Sequence, residues 1–308
     1  MSDLSPNVRA AFLAGLAMLA CGGAASADEM LAYTHQGAPR TAYLHLPTSG
    51  AGPRPLVVAL HGLGGTGENY HTWSGFDAVA DREGFVTVYP DAIEKRWSYG
   101  RPIIAPMPAL AGEPVDDTGF IRLLIDDLVG KGIADPARIY VTGSSRGGLM
   151  TYTLACALAD RIAAAAAVIT GMTDLQRDDC RPARPVPIMV IAGTKDTTQP
   201  YDGMRFATGR LLSVPDTMEY WRVQHGCAAP TQRLLPQRDT QGRSRVTLVE
   251  WSKCQSGARL LLYRVAYGGH QLPSTVSGNP MSEEKFGIRN HDIETAEEVW
   301  TFFKAYAR

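Results

Sequence analysis

The 308-residue chain carries 30 Lys and Arg against 31 Asp and Glu, for a net charge of −1, with 45% hydrophobic and 20% charged residues. That balance excludes the basic surface of a nucleic-acid binder or of a protein held on anionic lipid, and it excludes disorder, which needs low hydrophobicity with high net charge. A chain of this length buries roughly three quarters of its unfolded surface, enough for a core that needs no structural metal.

At the start, Arg9 precedes an apolar run from Ala10 to Ala20, and Ala25-Ser26-Ala27 follows. The run is too short to span a bilayer. A positive segment, a short apolar segment and an A-x-A site describe a secretory signal peptide over 1–27, removed after Ala27. The expected product is a single catalytic domain over 28–308, extracellular or periplasmic, with no membrane association after cleavage. Four cysteines then remain: Cys156, Cys180, Cys227 and Cys254. An even number in an exported chain points to two disulfides with three connectivities. The sequential one, Cys156–Cys180 and Cys227–Cys254, closes two short loops and is the one expected. No C-x-x-C or histidine cluster accompanies them, so no metal site is expected.

Along the mature chain, Thr41–Leu46 alternates as a strand, and Pro55–Leu60 is continuously apolar, as in a strand covered on both faces. A Gly-rich turn, His61-Gly62-Leu63-Gly64-Gly65, follows, then a helix near 76–83 and a strand at 85–89. Residues 97–114, rich in Pro, Ala and Gly, read as a long loop, and such loops are often functional. Trp97 within it is a candidate for a substrate wall. Asp117 or Thr118 is placed to cap a helix running to Lys131. Strands at 138–142, 164–169, 187–192 and 260–267 alternate with helices at 147–161, within 204–225 and at 292–306. This order implies an α/β fold with a mainly parallel sheet and helices on both faces. Ligands of such sheets bind beyond the carboxyl ends of the strands.

The reactive residues fall at those ends. Strand 138–142 runs into Gly143-Ser144-Ser145-Arg146-Gly147 and then a helix, which is G-x-S-x-G in its strand–turn–helix setting. The glycines permit a sharp turn that lifts the Ser145 hydroxyl, and the helix N-terminus directs N–H groups at a nearby anion. Ser145 needs a base, and the base needs an orienting acid. Asp196 follows strand 187–192 and His270 follows strand 260–267, in the chain order Ser, Asp, His. Asp174 and Asp202 are weaker alternatives for the acid. His61, His225 and His291 fit the base less well. The backbone N–H groups of Leu63 and Arg146 are expected to form the oxyanion hole.

Taken together, Ile139–Tyr152, Asp116–Ile121, Gly193–Asp196 with Pro200–Gly203, Gly268–His270 and Trp300–Lys304 resemble segments of secreted polyhydroxybutyrate-depolymerase-like and feruloyl-esterase-like α/β-hydrolases. The resemblance covers nearly all of 40–308. It implies the α/β-hydrolase fold, extracellular ester hydrolysis, no cofactor, and disulfide cysteines at all four positions. Two places depart from the family pattern. Arg146 stands where Asn is usual, and Gln271-Leu272 follows the histidine where Thr-Trp is common. The expected activity is a serine carboxylic-ester hydrolase working through an acyl-enzyme on hydroxyalkanoate oligoesters or on feruloyl or acetyl esters of plant polysaccharide. A peptidase or thioesterase with the same triad, and an exported non-catalytic binding protein, are the alternatives. Soluble oligomers or exposed side-chain esters are expected to be favoured over crystalline polymer. The segment 273–291, with Gly278, Pro280 and Gly287, is a candidate lid by composition.

Overall fold

The apolar runs are long enough to be covered on both sides, and they pair as neighbours. In the computed structural model, which describes residues 27–48, 52–100, 109–110, 113–239, 241–275 and 282–308, strand β1 (Ala27–His35) and β2 (Ala38–Leu46) form a hairpin. Strand β3 (Arg54–Leu60) leads to helices α1 (Gly67–Ser74) and α2 (Phe76–Glu83) and to β4 (Val86–Pro90). A short pair, β5 (Ala109–Leu110) and β6 (Glu113–Pro114), precedes α3 (Asp117–Gly130). Then come β7 (Ala134–Ser144), α4 (Arg146–Ala157), β8 (Ala164–Val168), α5 (Asp174–Asp179) and β9 (Ile188–Gly193). A hairpin of β10 (Met204–Phe206) and β11 (Gly209–Leu211) leads to α6 (Val214–Gln224). Strands β12 (Thr231–Leu234), β13 (Arg245–Trp251) and β14 (Leu260–Ala266) and helices α7 (Glu283–Phe286) and α8 (Thr295–Phe303) complete the order. Most of the expected leader, residues 1–26, lies outside the described residues. Among the described residues no helix is long and apolar enough to cross a membrane.

Among the described residues ten strands form one sheet in the order β1-β2-β4-β3-β7-β8-β9-β14-β13-β12. The middle, from β4 to β14, is parallel, and the two ends are antiparallel. The α/β expectation of a mainly parallel sheet with helices on both faces therefore holds. Strand β3 shows why its run is unbroken. Leu56, Val58 and Leu60 enter one core layer, with Phe120, Leu124 and Leu149. Val57 and Ala59 enter the other, with Val79, Val299 and Phe303. Neither face reaches water, so neither alternate position can be polar.

The end strands and the short elements depart from the sequence expectation. Strand β1 is largely exposed, and its residues show no apolar run. Strand β13 does alternate, with Val246 and Leu248 buried, and that pattern marks it as a half-buried strand. Helix α1 is signalled by Thr66, whose hydroxyl accepts from Asn69 N–H at 3.1 Å. The cap of α3 also differs. Asp116, not Asp117 or Thr118, accepts from Gly119 N–H at 2.7 Å.

Asp117 has another role. It is fully buried, and its carboxylate accepts from Arg40 at 2.6 Å and from Ser98 N–H at 2.6 Å. The Arg40 guanidinium also lies over the Phe120 ring at 3.9 Å. This pair ties the hairpin strand β2 to the start of α3 and to the chain just beyond Trp97. Both disulfides have the sequential pairing, Cys156–Cys180 from α4 to the end of α5, and Cys227–Cys254 from the end of α6 to beyond β13.

Two predictions follow from these cross-links. Asp117→Ala strands a buried guanidinium and should lower the unfolding free energy by about 3–5 kcal/mol, read by urea denaturation. Replacing Cys227 and Cys254 together by Ala should cost about 3 kcal/mol, the value expected when a closed loop of that order is released in the unfolded chain. An unchanged denaturation midpoint in either variant contradicts the corresponding role.

Candidate active site

The loop after β7 is held in a conformation that a serine adopts only under constraint. Ser145 has φ 55° and ψ −116°, outside the regions that L-residues ordinarily occupy. Its N–H donates to Val168 O at 2.9 Å, and its carbonyl accepts from Leu149 N–H at 3.1 Å. Helix α4 begins at the next residue. A Cβ on Gly147 would stand 2.2 Å from Leu60 O, so only glycine lets α4 pack this closely on the end of β3.

The turns after β9 and β14 are joined to each other. Thr194 N–H donates to Val265 O at 2.9 Å, and Lys195 N–H to Gly268 O at 2.8 Å. A Cβ on Gly193 would meet Gly268 O at 2.4 Å. The close approach brings the Asp196 and His270 turns side by side. His270 N–H donates to Phe286 O at 2.6 Å, so the end of α7 fastens the histidine from the other side.

The three side chains meet. Asp196 Oδ2 lies 2.7 Å from His270 Nδ1, and His270 Nε2 lies 3.0 Å from Ser145 Oγ. The carboxylate can only accept, which places the imidazole proton on Nδ1 and leaves Nε2 to accept from the serine hydroxyl. The other carboxylate oxygen accepts from Thr198 N–H at 2.8 Å and from Gln199 N–H at 2.7 Å. Asp196 and His270 are both buried, at 6% and 4% exposure, so their hydrogen bond is shielded from water. Other residues weighed from the sequence lie elsewhere. Asp174 accepts from Leu175 N–H and Arg210 N–H, steadying the β11 hairpin. His225 is buried against Val186 O at 2.7 Å, and His291 bonds Ser274 O at 2.7 Å.

His61 and Trp97 hold the loop opposite Ser145. Ala92 N–H donates to His61 Nε2 at 3.2 Å, so the ring proton is on Nδ1, which donates to Gly62 O at 2.7 Å. Burial pushes the His61 pKa below the ordinary histidine value of 6.5, and the ring is held neutral in this role. Trp97 Nε1 donates to His61 O at 2.8 Å, and its ring packs on His61 with centroids 5.0 Å apart. Trp97 is fully buried, which corrects its placement in the substrate wall: it braces the wall from behind. Leu63 and Arg146 both border the cavity beside Ser145.

That cavity is about 600 Å³. Beside Ser145 and His270 it is walled by Tyr70, Trp73, Phe206 and Phe286, with Leu272 in the position after Gln271. The sequence reading missed these aromatics. Trp73 belongs to α1 and Phe206 to β10, two elements with no strong pattern, and nothing in the chain order marks them as neighbours of Ser145. Of the candidate lid, 276–281 lie outside the described residues, while Lys285 and Phe286 border the cavity. Among the described residues no group of His, Cys, Asp or Glu is placed to hold a metal ion.

The chain is 28% identical over 261 residues to a protein of Nocardia uniformis subsp. tsuyamanensis named "Putative esterase NocK", covering 81% of this chain and 74% of that one. It is 27% identical over 230 residues to feruloyl esterase B of Piromyces equi, covering 70% of this chain but only 39% of that enzyme. The solved acetyl xylan esterase from Aspergillus awamori superposes with a TM-score of 0.57 at 16% identity, covering 90% of this chain and 99% of that one, a likeness of fold. The description "Alpha/beta hydrolase family" matches residues 57–274. The chain belongs to the alpha/beta hydrolase family.

Proposed function

We propose that this protein is a serine carboxylic-ester hydrolase working through an acyl-enzyme. The observation that carries the reading is the hydrogen-bonded line Asp196–His270–Ser145 at the wall of the cavity. Ser145 Oγ attacks the acyl carbon while His270 Nε2 takes its proton. The carbonyl oxygen becomes an anion facing the N–H groups of Leu63 and Arg146. Collapse breaks the bond to the alcohol oxygen, which leaves with the proton from His270. Water then enters, gives a proton to His270 and attacks the acyl-enzyme, and Ser145 recovers its proton as the acid departs. Asp196 keeps the imidazole oriented and offsets its transient positive charge. The neutral His61, Trp97 and the Gly64 N–H bond to Lys95 O at 3.0 Å keep the Leu63 loop rigid, so little reorganisation accompanies the charge.

The acyl portion is an aromatic or extended apolar group. An acetyl group fills little of a cavity of about 600 Å³ walled by Tyr70, Trp73, Phe206 and Phe286, whereas a feruloyl-sized acid finds rings to pack on. The similarity to a feruloyl esterase supports this class, with hydroxyalkanoate oligoesters and acetyl esters as weaker substrates. Two disulfides support an oxidising compartment outside the cytoplasm.

A panel of methyl ferulate, acetylated xylan and hydroxybutyrate oligomers tests the reading. Methyl ferulate should be hydrolysed fastest, and Ser145→Ala should lower kcat by about ten-thousand-fold or more. Turnover in Ser145→Ala equal to the parent sinks the mechanism, and a clear preference for acetylated xylan sinks the acyl assignment.

His61 also gives a pH prediction. Its folded pKa is lowered, so below about 6.5 the unfolded chain takes up a proton that the folded chain refuses. The contribution to stability is present above that pH and is lost as pH falls. Urea midpoints should therefore drop from pH 7.5 to pH 5.5, and drop less in His61→Gln. Equal drops in the two proteins would remove His61 from the account.

A further inference from the structure

Arg146, where the sequence departs from the family pattern, is at the first position of α4 and only 8% exposed, and it borders the cavity next to Ser145. Both features of that placement are unfavourable. A cation in the first turn meets the positive end of the helix dipole, and in a residue this enclosed the guanidinium has no fixed counter-charge to offset that. Among the described residues no carboxylate lies within ion-pair distance of Arg146, and its guanidinium has no hydrogen-bond acceptor. The Tyr99 phenol feels its field, but burial raises the Tyr99 pKa, so that group stays neutral and gives no counter-charge. Asp196 is taken up by His270, Thr198 and Gln199.

The rest of the wall has the same sign. Among the described residues no Asp or Glu borders the cavity, while the exposed Lys285 does, with its ammonium 5.2 Å from the Phe286 ring centroid. Among the described residues Lys285 also has no carboxylate partner. An apolar cavity with two unpaired cations and no anion is a site for a molecule that supplies the negative charge itself.

We infer that Arg146 is a specificity residue that pairs with a carboxylate on the substrate, with Lys285 adding to the field, so that of two esters alike in acyl group and alcohol the one carrying a free acid group close to the bond is cut faster. This rests on the esterase reading above. It adds to that reading a preference between matched esters for a carboxylate, on the acyl side as in a half-ester of a dicarboxylic acid, or on the alcohol side as at the acid end of a hydroxyacid oligomer. The free acid gives Arg146 a charge-assisted partner that the neutral ester lacks.

Two matched pairs of substrates distinguish the sources at pH 7.5. The acyl-side pair is the 4-nitrophenyl monoester of adipic acid and its primary-amide counterpart. The alcohol-side pair is the linear dimer of 3-hydroxybutyrate and the primary amide of the same dimer. In at least one pair the carboxylate member should have a kcat/KM higher by about tenfold or more, the size of a charge-assisted hydrogen bond. Arg146→Asn should bring that ratio close to one, and Arg146→Lys should keep part of it. The ratio compares two substrates on one enzyme, so a general loss of activity cancels. Should Arg146→Asn fail to fold, the parent enzyme still decides: adipate should inhibit it competitively and adipamide should not. Equal kcat/KM values in both pairs overturn the inference and leave the esterase reading standing. A preference that survives unchanged in Arg146→Asn overturns the assignment to Arg146. Hydrolysis of none of the four compounds by an enzyme that cleaves methyl ferulate overturns the inference alone, and failure on methyl ferulate as well overturns the esterase reading with it.

Discussion

The 2.7 Å hydrogen bond between the Asp196 carboxylate and His270 Nδ1 is the contact around which the rest is arranged. It fixes which imidazole nitrogen carries the proton, and so which one can accept from Ser145. The bond is useful only where water cannot compete for the carboxylate, and both residues are buried. Burial of a carboxylate is unfavourable unless its lone pairs are met. Two backbone N–H groups, from Thr198 and Gln199, meet the oxygen that His270 does not. The sheet contributes the geometry. Neighbouring parallel strands β9 and β14 end side by side, and Gly193 lets their following turns approach within a distance that any side chain would forbid.

On the other side of Ser145 the same economy applies to the backbone. The constrained conformation of the serine costs on the order of 1–3 kcal/mol and persists only because its surroundings over-determine it. Val168 O, Leu149 N–H and the tight seat of Gly147 against Leu60 do this. The facing loop is fixed from behind by His61 and Trp97, so the groups that the proposed mechanism uses as donors and nucleophile stand in place before any substrate arrives.

How much of this could be read from the residues depended on whether the signal was local. The buried strands were legible because both faces are apolar, and the meeting of Ser145, Asp196 and His270 at one end of the sheet because each follows such a strand directly. The sequential disulfide pairing was legible because it closes the shortest loops. The antiparallel ends of the sheet were less so: β1 is exposed and carries no period. Asp117 read as a cap because acidic residues favour that place, but a long-range partner, Arg40, claims it and leaves the cap to Asp116. Trp97 was misplaced for a similar reason. Being in a long loop says nothing about the direction of a side chain, and here the indole turns inward to a backbone carbonyl. The aromatic walls came from α1, β10 and α7, elements too short to announce their neighbours. Arg146 stood out as a departure in the sequence, but only its burial without a counter-ion gives that departure a physical meaning.

The central claim is that the Ser145 oxygen becomes covalently joined to the acyl half of an ester. Intact-protein mass spectrometry after rapid acid quench of the enzyme with a slowly deacylating aryl ester tests it most directly. A mass increase equal to the acyl group is expected, located by peptide mapping on the segment that holds Ser145 and lost after further incubation. Turnover of the ester with no adduct at any quench time, or an adduct located on another residue, would contradict it.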